Sequence, residues 1–508
     1  MTRLSRRALI RGGLVAAAGS AVVPILAACG GSSPPTAAPA PTKPPAAAPT
    51  QAPAASGGAS TPAAAAATKP AAATTAPVAP TQAAAPTQAA GGAAPAPTAT
   101  VAIKDVVSGK FNVWFSANWN TVTDEAVGKT FVDWGKEQNV QVEWQSIPGS
   151  PQQLIKETAA LAAGAPPELN NANGVYWYTQ GEYADITTLV NKFNDKAGGL
   201  LPIAKSSLTA PDGKIFAAPY AIDCWPAHWR KDLIEPVTGG GFFKTWEDVV
   251  SLGPKVQQPP RTYTFAMALG HEGDHVNNIV TVLWDYGGRL NDENGKPDIA
   301  NPANKKGLEV IVEMIKAKLI PPETFAQTVT SWNNETYQKG RAAFAVNPAT
   351  IYGWLLVNDK ELAGKTGLAP TPKGTAGSFA EGAAIGFSMF KKAKLAEKSP
   401  SALEFFMQPD KIQAISKSVE GRFVPIYIDH TKTEFWNSSA FAAMKEIAQS
   451  GRVRNWPAPG QPWLSDVTDA KYTLSDMIQK IVNDNMKIED AQAWAQKEME
   501  DSYNKFKK

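Results

Sequence analysis

From about Ser108 onward, apolar residues recur with a spacing that switches between the period of strands and the period of helices. Phe111-Asn112-Val113-Trp114-Phe115 reads as a short buried strand. Val127, Phe131 and Trp134 follow at helical spacing, up to Gln138. Val140, Val142 and Trp144 alternate with Gln141 and Glu143, which predicts a second strand. Ser150-Pro151 then opens another helix, with an N-cap residue and a first-turn proline in favoured places. Leu154, Ile155, Thr158, Leu161 and Ala162 form its expected inner stripe, and Gly164 ends it. Strand, helix, strand, helix predicts a parallel, doubly wound α/β sheet. Farther on, Ile299 to Leu319 is expected to be helical, with Leu308, Ile311, Val312 and Ile315 as its apolar face. Ala342 to Val346 predicts a buried strand, and Asn291 to Asp298 a turn. Leu403 to Ile415, Leu474 to Met486 and Ile488 to Phe506 predict amphipathic helices.

Before Ser108 the pattern is of another kind. Four arginines precede a soft apolar run, Gly12 to Ala28, which breaks at Leu26-Ala27-Ala28-Cys29. A basic start, a short apolar stretch and a small-residue cleavage point mark a bacterial signal peptide. The run is too short, and too rich in Gly and Ala, for a permanent membrane-spanning helix. Arg6-Arg7 resembles a twin-arginine export signal, and Leu-Ala-Ala-Cys resembles a lipobox, whose cysteine is acylated and becomes the new N-terminus. Residues 1–29 are therefore expected to be a signal peptide, with Cys29 lipidated. Gly30 to Thr100 is almost entirely Ala, Pro, Thr, Gly, Ser and Gln, without one aromatic residue. Such a stretch cannot offset its chain entropy by burial. Residues 30–107 are expected to be a disordered tether with a reach on the order of 50 to 200 Å.

Charge and cysteine content narrow the function. The formal charge is +3, yet seven basic residues and no acidic one occur through Lys104, leaving 42 basic against 46 acidic residues in the remainder. That balance offers no basic footprint for nucleic acid. Cys29 and Cys224 are the only cysteines. If the first carries lipid, no intramolecular disulfide forms, and a metal site built on several cysteines is excluded.

Several short pieces carry a resemblance. They are Phe111 to Phe115, Ala-Gly-Ala-Pro-Pro-Glu at Ala163 to Glu168, Asp-Gly-Lys-Ile-Phe-Ala-Ala-Pro-Tyr at Asp212 to Tyr220, and Trp-Arg-Lys-Asp-Leu-Ile at Trp229 to Ile234. Leu283 to Leu290, Gly-Arg-Ala-Ala-Phe at Gly340 to Phe344 and Arg-Phe-Val-Pro at Arg422 to Pro425 follow in order. Together, from about Lys110 to the C-terminus, they resemble the extracellular solute-binding proteins of carbohydrate ABC importers, the group that includes maltose-binding protein. Glu168 stands where that family usually has Asp, and Trp229-Arg230 replaces its usual Tyr-Asn. The resemblance implies an α/β, two-lobed periplasmic-binding-protein fold of type II-like topology, with lobes joined by crossover strands and closing by hinge motion on a ligand. By that analogy lobe 1 is 108–222 plus 382–429, and lobe 2 is 223–381 plus 430–508. The expected partners are a mono- or oligosaccharide, ABC permease subunits and the membrane through the lipid alone. No nucleic acid is expected, and the protein is expected to be a monomer outside the cytoplasm.

The residues suggest where a ligand would sit. All 15 tryptophans lie after the tether. Aromatic rings cover the flat C–H faces of a sugar while Asp, Asn and Arg hydrogen-bond its hydroxyl belt. Trp134, Trp144 and Trp284 sit in core patterns. Ligands in open α/β sheets bind beyond the carboxyl ends of strands, which selects Ser116, Asn118 and Trp119 after the first strand. By resemblance Asn171, Asn173 and Trp177 follow the Pro-Pro-Glu segment near the ligand. Asp223 and Trp225 fall in the expected first crossover, Asn347, Tyr352 and Trp354 after the strand ending at Val346, and Glu381 near the return crossover. Arg422 is expected to support a neighbouring loop.

One motif points elsewhere. His271-Glu272-Gly273-Asp274-His275 is a literal H-E-x-x-H, which on a helix would place two histidines on one face for zinc. Gly270 and Gly273 disfavour that helix, and an irregular loop before a helix starting near Val276 is the expectation; the resemblance implies that this loop faces the cleft, with His275 near the ligand. No triad or phosphate-binding loop is present. The sequence thus predicts a non-enzymatic binding protein without metal or cofactor, with a zinc hydrolase and a cationic-amine receptor as alternatives.

Overall fold

The structure, a computed structural model, describes residues 98–100, 109–117, 121–147, 152–172, 174–418 and 421–507. The predicted signal peptide with Cys29, most of the tether, the Ser150-Pro151 pair and the site candidates Asn118, Trp119 and Asn173 lie outside the described residues.

Two sheets organise two cores. In β2 (Phe111–Ser116) every second side chain is buried, beginning with Phe111, Val113 and Phe115. β3 (Val142–Ile147) runs parallel beside it, with Phe111 opposite Val142, and β4 (Leu169–Asn170) is parallel on its other edge. α1 (Thr121–Glu137) covers these strands with Val127, Phe131 and Trp134. A Cβ at Gly128 of this helix would come 2.4 Å from the Trp144 ring, so only glycine allows helix and strand to approach so closely. β5 (Ala218–Cys224) and β10 (Gly382–Met389) complete the sheet as antiparallel neighbours, and β1 (Thr98–Thr100) pairs antiparallel with the far edge of β3. The second sheet has the order β7 (Tyr263–Phe265), β8 (Ala342–Val346), β6 (Ala227–Arg230), β9 (Thr366–Ala369). Both sheets are mixed rather than purely parallel. In the first sheet β10 runs antiparallel to both its neighbours, β4 and β5.

Among the described residues, three stretches of chain pass between the cores. Cys224 belongs to the first and Trp225 to the second; β10 returns, with Gly382 opposite Cys224 and a register shift at Ile385/Gly386. The third is the segment around Arg452, bonded through its backbone to Ala380 and Gly382. Upstream of it, Trp436, Phe441, Ala443, Met444 and Ile447 pack in the first core, although residues from 430 onward were expected with lobe 2. Hydrophobic packing, not the crossing at Asp429, decides their place.

Local expectations fare unevenly. The final helix, α12 (Ile488–Phe506), has the expected bounds, and Trp134, Trp144 and Trp284 are buried. The helix expected over 299–319 is α5 (Pro302–Lys316), whose start is set by the Asn301 side chain accepting from the Ala303 N–H. The helix expected over 403–415 is two, α8 (Ser399–Phe406) and α9 (Pro409–Ser418), because Pro409 cannot continue a helix. In α2 (Gln152–Ala162) the apolar stripe is not the buried one: Gln153 and Glu157 face inward and Ile155 is 67% exposed. Gly164 follows this helix in the left-handed region, at φ 67°. No helix among the described residues is long and apolar enough to cross a membrane.

Candidate functional site

A cleft of about 1020 Å³ lies between residues of the two cores. One wall comes from the first sheet. Ser116 ends β2, and its N–H donates to Asn171 Oδ1 at 2.7 Å, which fixes the residue after β4. Asp223, near the end of β5, receives both terminal nitrogens of Arg422, one at 3.0 Å. That guanidinium also lies 4.0 Å over the Phe423 ring, so the pair is a rigid polar fixture.

The other wall comes from the second sheet. Trp225 begins it, held by its N–H on the Glu381 carbonyl at 3.0 Å. Asn347 follows β8 and joins Asn333, Asn334 and Thr350 in a side-chain network. Asn334 and Thr350 open α6 (Trp332–Gln338) and α7 (Thr350–Asn358) toward the cleft. Along α7, Trp354 is 45% and Val357 78% exposed, both on the cleft wall. An accessible indole thus faces a belt of amides, hydroxyls and an arginine–carboxylate pair.

Beneath this wall sit further carboxyls. Asp274 lines the cleft and is buried; burial and the neighbouring Glu381 and Asp223 push its carboxyl up, while Asn333 and Arg454 pull it down. Its neighbour Glu272, whose carboxylate accepts the Asp274 N–H at 2.8 Å, is pushed up by burial and by Asp274 itself. Glu381 is buried, and burial raises it to about 7 against the pull of Arg454. Arg454 links this group to Asn277 at 2.7 Å and Asp469 at 3.3 Å.

Of the candidates read from the sequence, Asp223, Trp225 and Asn347 meet in this cleft, together with Ser116, Asn171 and Trp354. Trp177 does not: it is buried in a satellite core, donating its indole N–H to Glu157 at 2.5 Å. Tyr352 packs edge-on against Phe441 instead of lining the cleft, because its neighbours Gly353 and Trp354 take the facing positions. Glu381 lies behind the Trp225 backbone and is not among the lining residues. His275 is fully buried at the start of α4 (His275–Asp285), bonded through Nδ1 to the Glu272 carbonyl, and burial lowers it to about 4. His271 lies outside that helix, stacked on Tyr472 and bonded to Asp476 at 2.7 Å. The helical register that H-E-x-x-H needs is therefore missing, and no cluster of three potential metal ligands occurs among the described residues. Arg422, Asn334, Thr350 and Asp274 are lining residues that sequence reasoning did not select for contact. The Arg-Phe-Val-Pro piece contained Arg422 and the His271–His275 motif contained Asp274, neither marked as a contact.

Two cores joined by crossing strands, with a polar and aromatic cleft at the crossing, define a two-lobed binding protein of the periplasmic type. Solved structures agree on the fold. A maltose-bound MalE3 of T. maritima superposes with TM-score 0.63 at 21% identity, covering 76% of this chain and 98% of that one. A sugar transporter protein of Arthrobacter chlorophenolicus A6, solved with laminaribiose, gives 0.65 at 16% identity, covering 77% and 99%. A probable ABC transporter-binding protein of Deinococcus radiodurans is 26% identical over 176 residues, 32% of this chain, and the chain spans 40% of that relative's length. The profile of the bacterial extracellular solute-binding proteins matches residues 118–407, and the chain belongs to that family.

Proposed function

We propose that the chain is a membrane-tethered receptor that captures an extracytoplasmic carbohydrate for an ABC-type importer, its two lobes closing on the ligand. The observation that carries this reading is the pairing, across one cleft, of the accessible Trp354 with the fixed Asp223–Arg422 pair and the Asn347 network. An indole covers a pyranose face, and the paired side chains meet its hydroxyls without an uncompensated charge. That balance favours a neutral ligand over a cationic amine, since of the lining carboxyls Asp223 is matched by Arg422, Glu335 by Lys339 at 2.7 Å, and Asp274 lies in the field of Arg454. Maltose and laminaribiose in the two superposed proteins support the same class. Export and a lipid on Cys29 are proposed from the basic start, apolar run and Leu-Ala-Ala-Cys sequence.

A thermal-shift panel of monosaccharides, oligosaccharides, polyols and quaternary amines tests the reading. A saturable rise in melting temperature with a sugar is expected. Trp354→Ala should weaken that ligand roughly tenfold or more while leaving the unliganded melting point nearly unchanged. Stabilisation by an amine and by no sugar or polyol would overturn the substrate class.

A further inference from the structure

We propose that the second sheet carries an additional binding site, for a phosphoryl group borne on an organic ester, at the end of its strands opposite Asn347. The placement follows from three strands. β8 ends beside Asn347 in the cleft and begins after Arg341; β6 begins after Pro226 and ends at Arg230; β7 begins after Thr262. Arg230, Arg341 and Thr262 therefore gather at the opposite end, around a cavity of about 580 Å³. Four of its lining residues, Arg230, Arg261, Lys339 and Arg341, are cationic, and none is acidic.

The loops that carry these groups are pinned. Gln258 N–H donates to the Thr262 carbonyl at 2.7 Å, the Thr262 hydroxyl to the Gly340 carbonyl at 3.1 Å, and Tyr263 N–H to the Arg341 carbonyl at 2.9 Å. Gly340 has φ 70°, the left-handed region that favours glycine, which sets the turn between Lys339 and Arg341. The carboxylates present come from outside the lining. Asp232 takes Nε and Nη2 of Arg230 at 2.8 and 2.6 Å, Glu335 takes Lys339 at 2.7 Å, and Glu323 takes Nη2 of Arg341. Arg261 has no carboxylate partner among the described residues; the one bond of its guanidinium there is to the Gln258 side chain. Guanidinium presents five donors, so these arginines retain N–H groups beyond their present bonds. Forked donors match a tetrahedral oxyanion better than a lone ammonium does. The cavity exceeds a bare phosphate in size, and Leu233, Val256 and Pro260 add an apolar flank suited to the organic part of an ester. The same chemistry is offered by a soluble phosphate ester and by a phospholipid headgroup.

The test uses the full-length chain with Cys29→Ser, so that no acyl group drives membrane binding. Titration calorimetry with inorganic phosphate and glycerol 3-phosphate, and flotation with phosphatidylglycerol–phosphatidylcholine vesicles, separate the two sources. Saturable binding that weakens with added salt is expected, stronger for the ester than for phosphate. Arg261→Glu, an exposed position, should weaken it at least about tenfold, as should the double variant Lys339→Gln/Arg341→Gln. Binding of glycerol 3-phosphate alone assigns a soluble ligand, and vesicle binding lost in the variants assigns a headgroup. No saturable binding by any probe, or binding undiminished in both variants that melt like the parent, overturns the proposal.

Discussion

A carboxyl that keeps its proton into neutral pH behaves unlike one on the surface, and Glu381 is such a group. Burial moves it from 4.5 to about 7 in the fold. Between those values the folded state holds a proton that the unfolded chain has released, so folding is favoured most below about 4.5 and loses that contribution as pH rises through 7. Glu381→Gln keeps the neutral shape without the proton. Its stability in urea titrations is expected to equal the parent's at low pH and to exceed it increasingly toward pH 7. The difference is bounded at roughly 3–4 kcal/mol, from about 1.4 kcal/mol per pKa unit between 4.5 and about 7. A gap that stays constant with pH would mean that Glu381 is ionised throughout. Its position at a crossing was legible in the sequence, but its direction was not. Asp223 and Trp225 were legible because both fall in the crossover that the family resemblance implies, the one near the end of β5 and the other just after it. Arg422 was legible as the support of a loop and not as the partner of Asp223, which lies 199 positions away with nothing local to mark the pair.

Among the elements, α2 shows how a polar interior defeats pattern reading. Asn170 donates to Glu157 at 2.8 Å, Trp177 donates to the other oxygen of the same carboxylate, and Gln153 donates to Asn170 at 2.8 Å. These bonds hold the helix by its polar face, so Ile155 is left outside. Glu157→Leu should cost roughly 1–3 kcal/mol by orphaning the buried Trp177 donor, while Asn170 keeps the Tyr183 hydroxyl and the Ala172 carbonyl as acceptors. Ile155→Lys should stay within about 0.5 kcal/mol of the parent. Reversal of that order in chemical denaturation would restore the apolar stripe as the packed face. Helices packed by apolar residues, α1 and α12, were legible because burial follows their periodicity. Those whose ends depend on one side chain or one proline, α5 and the α8–α9 pair, were legible in kind and not in extent.

For the molecule as a whole, order along the chain predicted two lobes better than strand periodicity predicted sheet direction. Periodicity is blind to which way a returning strand enters, and β10 enters reversed. The proposed anchor belongs to this scale as well: Cys29→Ser should move the protein from the membrane fraction to the soluble one, and retention in the membrane would refute lipid attachment. Cys224 adds a different handle. It is fully buried in a strand that passes between the cores, opposite Gly382, and burial pushes its thiol well up. With Cys29 acylated it is the chain's only free sulfhydryl. A thiol reagent reaches it only when the crossing strands part, so its labelling rate is a built-in clock for rare excursions of the joint. Saturating ligand is expected to slow that clock severalfold, and an unchanged rate would mean that the excursions do not involve the joint.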